Sequence, residues 1–305
     1  MLKLIPAILL IFFSFSGKSQ INMVIKPDGF LFMEGTDSIC FYQKLPKDLN
    51  GNYSRCNYIH PLYGIDGISL TEDFPKDHLH HRGIFWAWHQ ILINGESVSD
   101  GWELKNFRQE VVELEFRLFK GTGILNTVVN WKSPLWKNGS EPYLKENTRI
   151  IMYPKVGNYR RIDFEIQLKS LTDRLSIGGS DDEKGYGGFS VRLKLPENVI
   201  FESNNDVVEP LNEAVEAGNA MKISGSFQKN GGQAGLIILN NQENPKPINK
   251  WILRKKESMQ NAVFPGRQPV SIPFDQPLTL KYSMLVYKGD LSAKQIKKAM
   301  KPFNH

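Results

Sequence analysis

The chain has almost no helical periodicity. Only SAKQIKKAMK, residues 292–301, carries an apolar stripe at helical spacing, through Ile296, Ala299 and Met300, with Ser292 as its N-cap. Cysteine is scarce as well: Cys40 and Cys56 are too few for a disulfide framework. One bridge or two small core residues both remain open at this stage, because spacing cannot bring two Cα atoms into bridging range. Long apolar runs are missing after LIPAILLIFFSFS, which follows a single lysine near the start and is too short to span a bilayer comfortably. With small residues at Gly17 and Ser19, this run predicts a secretory signal peptide over residues 1–19, cleaved before Gln20. Stable membrane insertion is therefore not expected, and no cysteine follows the run to carry a lipid. Charge of one sign is also lacking. A formal net charge of +6, or +4 without Lys3 and Lys18, is too mild to argue for nucleic acid. HExxH, EF-hand, CxxC, G-x-S-x-G and P-loop patterns are all absent, which removes several ready mechanisms.

What fills the sequence instead is short alternation broken by Gly, Pro, Asn and Asp. EVVELEFRLFKG, GILNTVVNWKS, RRIDFEIQLKSL, GGFSVRLKLP, QAGLIILNN and PLTLKYSMLVYKG all read as strands. In RIDFEIQLKS, Ile162, Phe164, Ile166 and Leu168 share one face, while Asp163, Glu165, Gln167 and Lys169 share the other. That is a strand with one wet side, as in antiparallel sheets. No repeat, low-complexity tract or linker divides the chain. Residues 20–305 are thus expected to form one all-β domain, a large antiparallel β-sandwich with a short C-terminal helix.

Chemistry concentrates in DFPKDHLHHRGIFWAWHQ, residues 73–90, where four of the chain's six histidines fall within twelve residues. If DHLHHRG is extended, His78 and His80 project from one face and His81 from the other. A His-x-His pair on a strand can offer two imidazoles to one divalent metal ion, so His78 and His80 are candidate ligands, with Asp73, Asp77 or His89 as a third. The same residues can instead serve as acid/base groups, since imidazole exchanges protons near neutral pH and a carboxylate such as Asp73 or Asp77 would fix its tautomer. For any single histidine here, a backbone hydrogen bond at a strand end is an equally good account. Arg82 would bind substrate or stabilise negative charge.

Two further segments offer partners. GGSDDEKGYGGFSVRLKL, residues 178–195, is glycine-rich but precedes a strand, so its glycines fit tight turns better than a phosphate cradle. Lys184, Tyr186 and Arg192 are the polar groups it could supply. Upstream, NYIHPLYG places His60 before a proline at a turn or strand entry. Trp86, Trp88 and Trp102 flank the histidines, and an aromatic face suits the C–H face of a sugar, although core packing accounts for some of them.

YIHPLYGIDGISLTEDFPKDHLHHRGIFWAWHQILING resembles the methane oxygenase PmoA-like family, whose members share an HPLY…G…T.DFP.DH.HHRG pattern. KGYGGFSVRL, AGLIILNNQENPKPINKW and NAVFPGRQPVSIPFDQPLTLKYSMLVYKG are similar to later segments of that family, so the resemblance covers most of the chain. It falls on His60, Asp77, His78, His80, His81, Arg82 and Gly83, then on Gly185, Tyr186, Gly187, Gly188 and Arg192. Leu79 departs from a proline common among relatives, which affects no proposed role. A membrane monooxygenase subunit would need several spanning helices, and this sequence has none after residue 19. The resemblance implies an exported, periplasmic or secreted β-sandwich protein of bacteria that degrade complex carbohydrate. Analogy with all-β sugar enzymes adds a galactose-mutarotase-like supersandwich.

The resulting expectation is an enzyme acting on a sugar or oligosaccharide substrate, of epimerase, lyase or hydrolase type. His78, His80 and His81 would be catalytic, with or without a divalent metal ion. His60, Arg82, Lys184, Tyr186, Arg192 and Trp88 would bind substrate. The competitors are a non-catalytic carbohydrate-binding protein and a metal-dependent oxygenase.

Overall fold

The computed structural model describes residues 20–257 and 259–303; the signal peptide assigned to residues 1–19 lies outside the described residues. The alternating segments are strands, among them Arg108–Phe119, Thr122–Lys132, Tyr159–Ser170, Gly187–Val191, Ala234–Asn240 and Leu278–Lys288. They build two nine-stranded antiparallel sheets, joined by smaller sheets of four and two strands. The first large sheet runs from Ile21–Lys26 at one edge, through Tyr58–Leu62, Ile84–Trp88 and Gly187–Val191, to Val215–Glu216 at the other. The second runs from Arg108–Phe119 to Asp206–Val207, with Tyr159–Ser170 and Leu278–Lys288 near its middle.

The two sheets face each other across one continuous core. Trp86 packs edge-on to Phe164 at 6.4 Å, Phe189 stacks on Tyr282 at 4.6 Å, and Trp88 meets Trp131 at 5.9 Å. Burial of such apolar area is the main driving force for closing a sandwich. One polar pin crosses this core. Glu146, fully buried, accepts hydrogen bonds from Asn57 Nδ2 at 2.7 Å, Trp131 Nε1 at 2.9 Å and the Thr148 hydroxyl at 2.6 Å. Asn57 in turn accepts from the Tyr42 hydroxyl at 2.8 Å. Burial pushes the Glu146 carboxyl above its ordinary value even though these donors oppose the shift.

Cys40 and Cys56 are both free and buried, which resolves the sequence alternatives in favour of core thiols. Cys40 lies against Met152, Cys56 donates to the Gln109 carbonyl, and burial pushes each thiol up to about 12. The helix Ala293–Met300 begins where expected, with Ser292 and Gln295 forming a capping box. It buries Ala299 and Met300 against Ile237, Leu239, Leu285 and Tyr287, covering part of the second sheet's outer face. That cover corrects one expectation. Asp163, assigned to a wet face, is buried beside Arg161, whose guanidinium also reaches the Ala299 carbonyl at the end of the helix. The Ser283 hydroxyl donates to the same carboxylate at 2.6 Å.

The strand Ile84–Trp88 positions the candidate site. All five of its residues are buried, but they alternate between two environments. Ile84, Trp86 and Trp88 enter the core between the sheets. Phe85 and Ala87 face the other way, into a small apolar cluster with Tyr58, Trp102 and Met259, against which Tyr186 packs. A single residue, His89, separates this strand from Gln90–Ile93, which belongs to the four-stranded sheet.

Candidate active site

The histidine cluster is a pair of turns and not a strand. After an antiparallel bridge between Asp73 and Arg82, the His78 N–H bonds to the Pro75 carbonyl at 3.1 Å and the His81 N–H to the His78 carbonyl at 2.9 Å. The expected division of faces is therefore corrected. Turning the chain brings residues three apart together, so the His78 and His81 rings stack at 4.5 Å with 7° between their planes. His80 stands edge-on to both, at 5.7 and 4.6 Å.

Arg192 organises this corner from below. Its side chain is almost wholly buried, just past the end of Gly187–Val191. Nη1 and Nη2 engage the Asp77 carboxylate at 2.8 and 2.7 Å, while Nε donates to Glu72 at 2.8 Å. This two-point match of planar groups fixes Asp77 more firmly than a point charge would. Arg192 Nη1 also lies 3.3 Å from His81 Nδ1. A guanidinium has no lone pair to offer, so His81 Nδ1 accepts and the ring carries its proton on Nε2. Partial burial pushes the Asp77 carboxyl up, but hydrogen bonds from Arg192 and His78 outweigh it and hold the group below its usual value.

Asp77 accepts from His78 Nδ1 at 2.7 Å, which leaves the Nε2 of that half-exposed ring as the working nitrogen. The arrangement has a twin. His89 Nδ1 donates to Asp100 at 2.9 Å, and the other Asp100 oxygen accepts the backbone N–H groups of Trp102 and Glu103, both at 2.8 Å. His89 stacks on Trp102 at 5.4 Å and 22°, and Trp102 also touches Phe85, Tyr186 and the edge of His81. Trp102 thus joins the apolar cluster on the sheet to the imidazoles above it.

Both dyads open onto one cleft of about 600 Å³, which His80, Glu103, Lys184, Tyr186 and Arg254 also line. Tyr186 is delivered by a compact turn. Asp182 accepts from the Ser180 hydroxyl at 2.6 Å and from the N–H groups of Lys184 and Gly185 at 3.0 and 3.1 Å. Gly185 has φ of 65°, and a Cβ there would lie 2.8 Å from the Arg267 backbone nitrogen, so this turn requires glycine. Burial lowers His80 to about 4 and drives His81 further down, with the neighbouring histidines and cationic arginines adding to the effect at His81. Both rings are therefore neutral at physiological pH.

Of the residues named from the sequence, the structure brings His78, His80, His81, His89, Trp102, Lys184 and Tyr186 to this cleft. Arg192 is a positioning residue beneath it and not a substrate contact. Two assignments are corrected, and a third residue lies apart from the cleft. Trp88 is fully buried and its Nε1 donates to the Phe264 carbonyl, so it presents no face to a ligand. Arg82 is also fully buried, ion-paired with Asp73, bonded to the Tyr53 and Lys47 carbonyls and stacked on Phe74. His60 lies in a neighbouring groove, bonded to the Thr71 hydroxyl at 3.0 Å, with burial lowering it to about 4. His89, named from the sequence only as a possible third metal ligand, pairs instead with Asp100; Asp100, Glu103 and Arg254 are not singled out by the sequence. For Asp100, the partner in that second dyad, the local signal is the Asp100-Gly101 turn just before Trp102.

The metal assignment also changes. Among the described residues, the compact set of potential ligand atoms is Asp77, His78 and His81, all within 4.8 Å of one another, and His80 is not among them. A cation there would meet Arg192 already holding both oxygens of the only carboxylate in the set. As arranged, these residues fit a guanidinium-anchored Asp–His pair and not a divalent ion.

No curated protein shows significant similarity to the chain. Among solved structures it is similar to YeaD from Salmonella typhimurium, a proposed mutarotase, at 11% identity and a TM-score of 0.40, over 88% of this chain and 94% of that one. So loose a likeness carries no argument about activity. Residues 32–301 match a family of unknown function, DUF6807, and to that family the chain belongs.

Proposed function

We propose that the protein is an exported enzyme that acts on a sugar or glycoside by histidine acid/base chemistry. One observation carries this reading: His78 and His89, each oriented by a carboxylate on Nδ1, open onto the same aromatic-floored cleft. An imidazole held in this way accepts a proton on Nε2, and its carboxylate partner stabilises the cation that forms. Two such groups in one cleft can remove a proton from one substrate atom and deliver one to another. Epimerisation, elimination and hydrolysis of sugars all need that exchange. Tyr186, backed by the buried Trp102, supplies an apolar face for C–H groups, while Lys184, Arg254 and Glu103 supply hydrogen bonds to hydroxyls. His80 and His81, kept neutral, add an uncharged wall that does not compete for the proton. A metal-assisted version requires Arg192 to release Asp77, and elemental analysis of the purified protein tests it.

The deciding experiment follows a panel of mono- and oligosaccharides in D₂O by proton NMR, scoring anomer exchange, solvent deuterium uptake and new products. Wild-type protein should transform at least one member. His78→Gln and His89→Gln should each lower the rate about 10²- to 10⁴-fold while sugar binding persists. Full turnover in both variants would overturn the acid/base assignment. Binding with no transformation of any sugar would identify a carbohydrate-binding protein instead.

A further inference from the structure

We infer that the ligand is an oligosaccharide at least two rings long, whose second ring rests on Phe74 in a groove beside the histidine cleft. This inference rests on the sugar reading above. The groove encloses about 1,010 Å³, and the two depressions are neighbours, because Lys256 and Glu257 line both. The wall between them is the Asp77–Arg192 pair. Asp77 and Arg192 border the groove, while His78 and His81, which they hold, border the cleft.

The junction is built from a short excursion of chain. Arg254 and Gln260 clasp each other, Arg254 N–H to Gln260 Oε1 and Gln260 Nε2 to the Arg254 carbonyl, both at 2.9 Å. The Arg254 guanidinium is further anchored on the Leu211 and Asn212 carbonyls at 2.7 Å. Lys256 and Glu257 sit on the excursion that this clasp closes off, over the point where cleft and groove meet.

Phe74 gives the groove its character. Its φ of 52° places it in the left-handed region, which a bulky residue adopts only when its surroundings enforce it. The Arg82 guanidinium, itself fully buried, lies 3.1 Å from the ring centroid. One face of the ring is thus braced from inside the protein while the ring lines the groove. A flat aromatic ring held in this way is the common platform for the C–H face of a pyranose. Lys194 and Glu197 on the opposite bank offer hydroxyl-binding groups of both signs, which suits a neutral sugar better than an acidic one.

The experiment is equilibrium binding to an array of neutral gluco-, galacto-, manno- and xylo-saccharides, each as one-, two- and three-ring members. Wild-type protein should bind the two-ring member of one series at least fivefold more tightly than its single ring, and Phe74→Leu should erase that gain while leaving single-ring affinity unchanged. Ser226→Trp, which fills the groove without touching the Arg82 stack, should erase it too, and this keeps the result readable if Phe74→Leu folds poorly. His78→Gln should retain the gain, so loss of catalysis and loss of the second ring are separable. An array in which no two-ring member binds better than its single ring overturns the inference, as does a gain that survives Ser226→Trp.

Discussion

The two faces of Ile84–Trp88 take similar residues to opposite ends. On the inner face Trp86 and Trp88 vanish into the sandwich, where they hold the second sheet through Phe164 and Trp131. On the outer face Phe85 carries Trp102, and Trp102 carries His89, His81 and Tyr186. An aromatic residue in this segment joins the two sheets on one side and, through Trp102, supports the imidazoles of the cleft on the other. The pleat of the strand decides which, through a period of two.

Substitutions on each face should therefore separate rate from stability. His78→Gln on the outer side should show the largest effect, a loss of about 10²- to 10⁴-fold in turnover with the thermal midpoint nearly unchanged. Trp88→Ala on the inner side should do the reverse, lowering unfolding free energy by about 3–5 kcal/mol in a denaturant titration. If Trp88→Ala cost rate and not stability, the division of faces would be wrong. Trp102→Ala straddles both, since it removes the support of His89 and Tyr186 and uncovers Phe85. It should weaken sugar binding about two- to tenfold, the range that loss of one aromatic pairing accounts for.

The smallest effect concerns pH. His60 and His80 have folded values near 4 against an ordinary 6.5, and His81 lies lower still, so the unfolded chain binds protons before the folded one does. Their contribution to stability is complete above 6.5 and is lost as pH falls from 6.5 towards 4. Thermal melts across that window should show the decline, and His60→Asn should flatten it slightly, since His60 lies outside the cleft. A decline that His60→Asn, His80→Asn and His81→Asn together leave untouched would assign the loss to carboxylates instead.

Much of the fold could be read from the chain because it depends on local periodicity. The alternation of Ile162, Phe164, Ile166 and Leu168 gave an inner face, and the Ser292 cap gave the helix start. The crowding of His78, His80 and His81 and the glycine-rich setting of Tyr186 were also legible, and the structure places all four around one cleft. What could not be read depends on contacts across the sheet. Arg82 and Arg192 look alike in sequence, yet one is locked among the Tyr53 and Lys47 carbonyls and the other grips the Asp77 carboxylate. His89 and Asp100 meet only because His89 occupies the break between two strands of different sheets. The conditional reading of DHLHHRG as extended fails for a local reason: the His78 and His81 N–H groups bond to the Pro75 and His78 carbonyls in turns, while Arg82 bridges back to Asp73.

The polar pin at Glu146 has a consequence for motion. Its carboxylate, on one sheet, is satisfied partly by Asn57, which leads into a strand of the other. Sliding either layer by one side chain would take Asn57 from that acid, while Trp131 and Thr148 on its own sheet stay bonded, and losing that one buried partner costs about 1–3 kcal/mol, several times thermal energy. The sandwich therefore resists shear at this point, and the turns around residues 74–81, 180–186 and 254–257, which ring the cleft, lie outside that lock.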